Sequence, residues 1–392
     1  MRDTTRFVAA CCRWPIDADA REAVRHAAEG VADWDEVRDA VMRHRVVALV
    51  HGAVRGQSNV PEAFCEWVSG MAKAQTLHAL QLTQECIAVD KTLVAAGITP
   101  VHIKGPVLGQ IAFGSVARKF SRDLDVLVVE AEAVQAIFAL QEKGYRRSGD
   151  GLPFTQKQAR AVIRYCKDLS LIGPSGTLVE LHWRLTNTKA LLNGIESRLE
   201  RQTVTVVGAT EMQTMGDEQT VLYLCVHGSS HHWMRLKWLA ELAAFLHQLG
   251  PERRARILEA VATTPERNSV TAALKLCDTF LGTDYAPEMS PRAQALYRYS
   301  VGRIDRPLVE PKRFWGDLRF IFDMLEMRHL YASPWTGIWA LKAHLICQED
   351  VVAWPLPASL SGVYVLIRGP SYLVRRLRAL LSRRGQSLKP QV

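Results

Sequence analysis

Two apolar stretches with acidic residues decide the fold: SRDLDVLVV at residues 121–129 and TLVELHW at residues 177–183. Both have the length and the β-branched, apolar composition of a buried strand. Side chains two positions apart on a strand share a face and lie about 6.5 to 7 Å apart. Asp123 and Asp125 therefore point to one side of the first strand, while Leu124 points to the other.

The second stretch supplies a third carboxylate. Val179 and Leu181 alternate with Glu180 and His182, which places the acid and the histidine on one face. If the strands are neighbours, three carboxylates converge, and a divalent cation relieves their repulsion. Such ligands suit Mg²⁺, or Mn²⁺ in its place, and support phosphoryl-type transfer. The pattern equally fits an aspartate pair that caps backbone amides.

Periodicity outside these stretches is helical and predicts an α+β fold, a mixed β-sheet flanked by N-terminal and C-terminal helical regions. We expect a helical region at residues 1–97, a core at 98–215, a helical domain at 216–350 and a basic tail at 351–392. Within the core, a short strand ends at Ile103, a helix ends near Gly114, and a hairpin turns around residues 173–176.

Composition narrows the class of protein. The chain has 392 residues, of which 48% are hydrophobic and 23% charged, as in ordinary globular proteins. No segment approaches the roughly 20 apolar residues of a membrane span. The eight cysteines include no C-x-x-C pair, which argues against a zinc ribbon or a disulfide scaffold. We expect a cytoplasmic protein with reduced cysteines.

The net charge of +9 belongs mostly to the C-terminus. No acidic residue follows Asp350, and seven basic residues do, which leaves a net charge of +2 for the first 350 residues. This argues against a broad surface for a long nucleic acid. The tail stretch YLVRRLRALLSRR has apolar residues at helical spacing, so peripheral contact with an anionic membrane, or with RNA, is an alternative to packing on the protein.

Several blocks together resemble a known family. They are HIKGPVLGQIAFGSVARKFSRDLDVLV at residues 102–128, LVELHW at 178–183, and a block rich in histidine and tryptophan at 227–239. In this order they resemble the bacterial uncharacterised nucleotidyltransferases of the polymerase-beta-like superfamily. The resemblance covers residues 97–245. It implies that the mixed sheet is a nucleotidyltransferase core, with an NTP as co-substrate.

The resemblance also implies roles for individual residues. Asp123 and Asp125 would bind the metal ions, and Glu180 would complete the set by bridging a metal or activating the acceptor hydroxyl. Gly114 and Ser115 occupy the place of the superfamily's phosphate-holding Gly-Ser pair. Further candidates for contact with the nucleotide are Lys104, Arg118, Arg122, His182 and His231.

The implied reaction transfers a nucleoside monophosphate to a hydroxyl or phosphate of a small molecule, a sugar or a peptide. Only seven residues separate Ser115 from Asp123, fewer than is usual in the superfamily. A catalytically silent partner that binds a nucleotide or a peptide is therefore an alternative. Phosphoryl transfer and a toxin-type transferase acting on tRNA are two more. His227 and His231, four residues apart, also have a spacing that binds zinc.

Overall fold

The computed structural model of the protein describes residues 1–187, 191–306 and 346–386. The helical pattern predicted across 307–345 and the basic residue Lys389 lie outside the described residues. Within the described parts, helices lie at both ends of a mixed sheet, which confirms the predicted α+β fold.

Five helices precede the first strand, in agreement with the apolar periodicity of this region. Aspartates begin two of them: Asp17 accepts a hydrogen bond from the Ala20 amide, and Asp33 accepts one from the Glu36 amide. These caps satisfy amides that have no partner inside the helix. The helices are α1 (Asp3–Ala10), α2 (Ala18–Glu29), α3 (Trp34–His44), α4 (Val47–Val54) and α5 (Glu62–Ala95).

The central sheet holds the predicted strands. Its members are β1 (Val101–His102), β2 (Asp123–Leu127), β3 (Arg146–Arg147), β4 (Asp168–Ile172) and β5 (Leu178–His182). They lie in the order β1-β2-β5-β4-β3, with β2 and β5 parallel and the other neighbours antiparallel. β4 and β5 form the predicted hairpin. The helices between strands are α6 (Gly105–Phe113), α7 (Ala133–Glu142) and α8 (Gln156–Tyr165).

A second, two-stranded sheet has no counterpart in the sequence prediction. It pairs β6 (Arg201–Thr205) with β7 (Glu211–Met215) in antiparallel fashion. Both strands are largely polar, and alternate residues of β6 are exposed, so neither contains the apolar run that reveals a buried strand. The Thr214 hydroxyl donates a 2.7 Å hydrogen bond to the carbonyl of His102 and ties this hairpin to β1.

Helices dominate the rest of the described chain. They are α9 (Asp217–Ser230), α10 (Leu236–Gln248), α11 (Gly250–Ala262), α12 (Arg267–Leu281), α13 (Pro291–Ile304), α14 (Gln348–Ala353) and α15 (Val363–Gln386). The first helix of the region predicted to be helical from residue 216 is α9, which begins at Asp217. Of the helices described, none combines the length and the apolar character that crossing a membrane requires.

The two faces of the central sheet belong to different cores. Leu124 and Val126 of β2 pack with residues of α5, α7 and α8. Leu127, on the opposite face, belongs to a core that joins the N-terminal helices to α9, α10 and α12. This alternation confirms that Leu124 and Val126 point away from Asp123 and Asp125. The carboxylates therefore face the helices that follow residue 216.

A buried histidine connects α3 to α10. The His44 Nδ1 atom accepts a 3.2 Å hydrogen bond from the Leu236 amide. Burial, assisted by Arg43 and Arg2, lowers the pKa of His44 to about 3. The imidazole is therefore neutral in the folded protein, as an acceptor must be.

Acid should destabilise the fold through His44. The unfolded chain binds a proton at this residue near its ordinary pKa of 6.5, whereas the folded chain binds one only near 3. Between these values the unfolded state holds more protons, so stability falls as pH falls, by up to about 1.4 kcal/mol per pH unit. We expect the pH slope of the free energy of unfolding, measured with denaturant, to be shallower in His44→Gln than in the wild-type protein.

His26→Gln, at a histidine whose side chain is 80% exposed, is the matched control. Equal slopes in His44→Gln and wild type would contradict the assignment.

Candidate active site

The strand register brings the predicted acidic residues together. Asp125 of β2 lies opposite Glu180 of β5, and Leu127 lies opposite His182. In a parallel pair, residues that lie opposite each other share a face. On the other side of β5, Asp168 of β4 is the neighbour of His182. One face of the sheet therefore carries acidic residues from three adjacent strands.

Asp125, Glu180 and His182 form the one group among the described residues in which three potential metal ligands lie within 4.8 Å of one another. The His182 Nε2 atom lies 3.3 Å from an Asp125 oxygen and 3.7 Å from a Glu180 oxygen. Both ring nitrogens of His182 are buried and make no well-formed hydrogen bond to any described residue. Buried polar atoms without partners are costly, so this donor set fits a divalent cation.

The histidine lies beneath the carboxylates. His182 is 1% exposed, whereas the Glu180 side chain is 29% exposed. Burial opposes a charge on His182, but the carboxylates of Asp125 and Glu180 outweigh it and raise the pKa of the imidazole. Asp168, on its other side, forms an ion pair with Lys167. The contact between His182 and a nucleotide stays a prediction; in the structure the buried ring lies beside the carboxylates of Asp125 and Glu180.

Asp123 and Asp125 differ in their electrostatic surroundings. Burial and the nearby charges of Asp125 and Glu180 raise the pKa of Asp123. Asp125 is also buried, but Lys104 and His182 hold the pKa of its carboxyl well below the usual range. The negative charge of Asp125 is therefore balanced by cations of the protein, whereas the negative charge of Asp123 is opposed by the neighbouring carboxylates.

Lys104 lies between the sheet and α9. Its Nζ atom is 3.1 Å from the Nε2 atom of His227 and 5.0 Å from the centre of the Tyr223 ring. Burial and Lys104 lower the pKa of His227 well below its ordinary value. The neutral His227 ring is thus an acceptor for the lysine, and this arrangement disfavours the zinc alternative, since a cation already occupies the space beside the ring. Lys104, a predicted site residue, is close enough to stabilise Asp125.

His231, another predicted site residue, belongs to the same wall. Its ring stacks on Trp238 at 5.2 Å and meets the edge of His227 at 4.7 Å. Burial and Lys104 lower the pKa of His231 to about 4. Trp233, in the histidine- and tryptophan-rich block at residues 227–239, is buried against Gly228. Trp238 takes the position beside the histidines.

A group of cations lies near Asp123, and two of them lie over the Phe120 ring; we call it the Phe120 cluster. It consists of Arg45, Lys119, Arg122, Arg235 and Lys237. The Lys237 ammonium donates a 3.3 Å hydrogen bond to the Phe120 carbonyl, and the Arg45 guanidinium lies 5.3 Å from the Phe120 ring. Burial, together with Lys119, Lys104 and Arg45, outweighs Glu241 and lowers the pKa of Lys237 to about 7. Burial and Arg122 also lower the pKa of Arg45. This crowding of positive charge favours a bound anion.

The sequence identifies only Arg122 of the Phe120 cluster. Arg45 ends α3 in a left-handed conformation (φ 57°), and the sequence predicts no site residue on the N-terminal helices. Arg235 lies in the histidine- and tryptophan-rich block at residues 227–239, which is the signal that points to it. Burial, Arg45 and Arg122 lower the pKa of Arg235, so these guanidinium groups lie near one another in the fold.

Three predicted nucleotide ligands have other contacts. Gly114 ends α6 with a positive φ of 64°, and the Ser115 hydroxyl accepts a hydrogen bond from the Ala117 amide. The Arg118 guanidinium lies 4.6 Å from the centre of the Trp14 ring. In the part of the chain that the structure describes, no hydrogen bond or ion pair joins these three residues to the carboxylates.

Comparison with known proteins places the chain in a family. The model of a family described as uncharacterised nucleotidyltransferase matches residues 30–282, more than half of the chain. Neither curated proteins nor solved structures give a match. The matched range begins before α3 and ends after α12, so it contains the carboxylates, the wall formed by α9 and the whole Phe120 cluster. The protein belongs to the uncharacterised nucleotidyltransferase family.

Proposed function

We propose that the protein transfers a nucleoside monophosphate from an NTP to a hydroxyl or phosphate of a small-molecule, sugar or peptide acceptor. The observation that carries this proposal is the register that places Asp125 beside Glu180, with the Phe120 cluster adjoining Asp123. Carboxylates that hold a metal next to cations that hold phosphates are the parts that such a transfer needs. Membership of the family supports the same reaction class.

Asp123, Asp125 and Glu180 would hold Mg²⁺ or Mn²⁺, and a bound divalent ion would neutralise charge on the transferred phosphoryl group. Oxygen donors favour these hard ions, while the nearby His182 imidazole is a donor that Mg²⁺ accepts less readily. His182 would orient Asp125 and Glu180 from beneath. Lys104 would keep Asp125 ionised. Glu180, the most accessible member of the group Asp125, Glu180 and His182, would accept the proton of the acceptor hydroxyl.

The Phe120 cluster would bind the triphosphate. Arginine presents a planar pair of donors that matches phosphate oxygens, and burial strengthens each contact because water competes less. Burial and the charge of Arg122 lower the pKa of Arg45, and burial with the charges of Arg45 and Arg122 lowers the pKa of Arg235. An anionic ligand would relieve this repulsion. The stacked His231 and Trp238 rings are a candidate platform for the base.

Arg45→Gln should raise the KM for the NTP by about 10- to 100-fold, as expected for the loss of a charge-assisted phosphate contact. Arg45 would contact the phosphates of the NTP rather than hold the metal, so kcat should change less than KM. Initial rates of pyrophosphate release against NTP concentration measure both constants. Arg160→Gln, at an exposed arginine of α8 without an ion pair to a described residue, is the matched control. An unchanged KM in Arg45→Gln would remove this residue from the site.

Pyrophosphate release tests the reaction class. The four NTPs are offered with Mg²⁺ or Mn²⁺ and a cell extract as the source of acceptor, and adducts are followed by mass spectrometry. The double variant Asp123→Ala/Asp125→Ala is the control. Pyrophosphate together with an adduct of nucleotide mass, both absent in the control, supports the proposal. Tight NTP binding without turnover for every acceptor favours the silent partner, and an adduct of phosphate mass favours phosphoryl transfer.

Two further proposals concern the location of the protein in the cell and its contact with membranes or RNA. The eight free thiols agree with the cytoplasmic, reducing location that we propose. Helix α15 exposes Leu366 and Leu373 within the basic tail, which agrees with peripheral contact with an anionic membrane. RNA contact, including tRNA as acceptor, stays an alternative.

A further inference from the structure

A cleft of about 350 Å³ lies between α2, α4 and the loop after α6, and we call it the Trp14 cleft. It is lined by Trp14, Ile16, Arg21, Gly52, Arg55 and Arg118. Three of its six lining residues are arginines from three separate segments of the chain, and no acidic residue lines it. The Trp14 cleft therefore concentrates positive charge in a concave space.

Arg118 is held in place for a ligand. Its guanidinium lies over the Trp14 ring at 4.6 Å, and Trp14 in turn meets the Phe113 ring edge to face at 5.4 Å. A guanidinium held over an aromatic ring still has N–H donors that can bind a ligand. Burial lowers the pKa of Arg118, and none of the described carboxylates forms an ion pair with it. A half-buried cation without an anionic partner is stabilised by binding an anion.

The other two arginines complete the cleft. Arg21 donates a 3.1 Å hydrogen bond from Nη1 to the Arg55 carbonyl, and its own carbonyl accepts a 2.8 Å bond from Gln57. These contacts fix Arg21 against the end of α4. Within the described residues, neither Arg21 nor Arg55 forms an ion pair. Burial and the charges of Arg55 and Lys73 lower the pKa of His51, in agreement with a positive potential in this region.

We propose that the Trp14 cleft binds the phosphate group of a small phosphorylated molecule. Three guanidinium groups match the charge and the several acceptor oxygens of a phosphomonoester. A long nucleic acid would need a broad basic surface, and the first 350 residues carry a net charge of only +2. The cleft volume suits a ligand of sugar phosphate size.

The position of the cleft near Asp123 suits the binding of a phosphorylated acceptor, an inference that rests on the proposed transferase function. Arg118 precedes Asp123 by five residues, so their Cα atoms lie at most about 18 Å apart. A phosphorylated acceptor no longer than that distance therefore reaches from the Trp14 cleft to the metal-binding strands. We therefore assign the cleft as the site that holds the phosphate end of the acceptor, away from the atom that reacts.

Isothermal titration calorimetry of the full chain with ribose 5-phosphate, without NTP or metal, tests the binding site. Arg118→Gln and Arg55→Gln should each weaken binding by at least about 10-fold, as expected for one charge-assisted contact. Arg55 is exposed, so its replacement leaves the fold intact even if Arg118→Gln perturbs the loop. Arg160→Gln should bind like wild type, and unphosphorylated ribose should not bind.

Three results would overturn the inference. The first is a failure of ribose 5-phosphate to bind the wild-type protein, and the second is binding to wild type and both arginine variants with equal affinity. The third is arginine-dependent binding of a single-stranded oligonucleotide that is tighter than binding of the sugar phosphate.

The variant Asp125→Asn separates the cleft proposal from the transferase proposal. It should bind ribose 5-phosphate as wild type does, because the Trp14 cleft does not include Asp125. A failure of the transferase proposal would thus leave this binding unchanged, whereas a failure of the cleft would leave NTP turnover intact.

Discussion

Asp125→Asn should reduce nucleotidyl transfer by at least about 10²- to 10³-fold, the loss expected when a group that stabilises transition-state charge is removed. The substitution keeps the size of the side chain but removes a negative charge from the centre of the acidic face. Asp125 is 8% exposed and pairs in the register with Glu180, so no other described side chain can take its position. Pyrophosphate release with the purified variant measures the loss.

The same substitution should also destabilise the fold. The acidic pattern alone suggests that removing a carboxylate relieves repulsion at little cost, but the surroundings of Asp125 indicate the reverse. Lys104 and His182 lower the pKa of Asp125, and Lys104 is itself only 8% exposed. Asn leaves these buried cations without their partner, at a cost of about 1 to 3 kcal/mol in the free energy of unfolding. Unchanged stability with full activity would refute both parts.

Asp123→Asn should abolish activity without this loss of stability. Burial and the charges of Asp125 and Glu180 raise the pKa of Asp123, so its charge is unfavourable in the folded protein without a metal. Neutralising it should leave the free energy of unfolding unchanged or raise it by about 1 kcal/mol. Denaturant unfolding in the presence of a chelator, run beside Asp125→Asn, provides the comparison. The two variants should be equally inactive but differ in stability.

A lower stability of Asp123→Asn than of Asp125→Asn would show that the charge of Asp125 is not the one balanced by cations of the protein. If only one variant lost activity, the two aspartates would not act as one metal-binding pair. Each variant therefore serves as the control for the other, since they differ by two positions on one strand and carry the same chemical change.

Local patterns were sufficient to predict the acidic face. Alternation along a strand depends only on neighbouring residues, so Asp123 with Asp125, and Glu180 with His182, could be placed on common faces. Whether β2 lies beside β5 depends on a crossover of about 50 residues, which the pattern does not encode locally. The resemblance to the family supplied that connection.

The cations could not be predicted in the same way. Arg45 is separated from Asp123 by 77 intervening residues, and only tertiary packing brings α3 to the site. Arg118 shows the opposite effect: it lies five residues before Asp123, yet the loop turns its side chain onto Trp14. Proximity in sequence therefore does not bring the Arg118 guanidinium to the carboxylates, whereas packing brings Arg45 close to Asp123.

The aromatic residues of the C-terminal helices illustrate the same limit. Trp233 and Trp238 both belong to the block at residues 227–239, and sequence alone gives no reason to prefer Trp238. The close approach of Trp233 to Gly228 buries the first ring, while α10 turns the second toward His231. The polar hairpin formed by β6 and β7 could not be predicted from the sequence, because its strands lack a buried apolar run.

The fate of the phosphates tests the central claim most directly. The protein is incubated with Mg²⁺, acceptor extract and an NTP labelled either at the α-phosphate or at the γ-phosphate. Transfer of a nucleoside monophosphate predicts that the α label moves to the acceptor while the γ label leaves as pyrophosphate, and that Asp125→Asn shows neither. Transfer of the γ label to the acceptor, or hydrolysis and transfer unaffected by Asp125→Asn, would contradict the account.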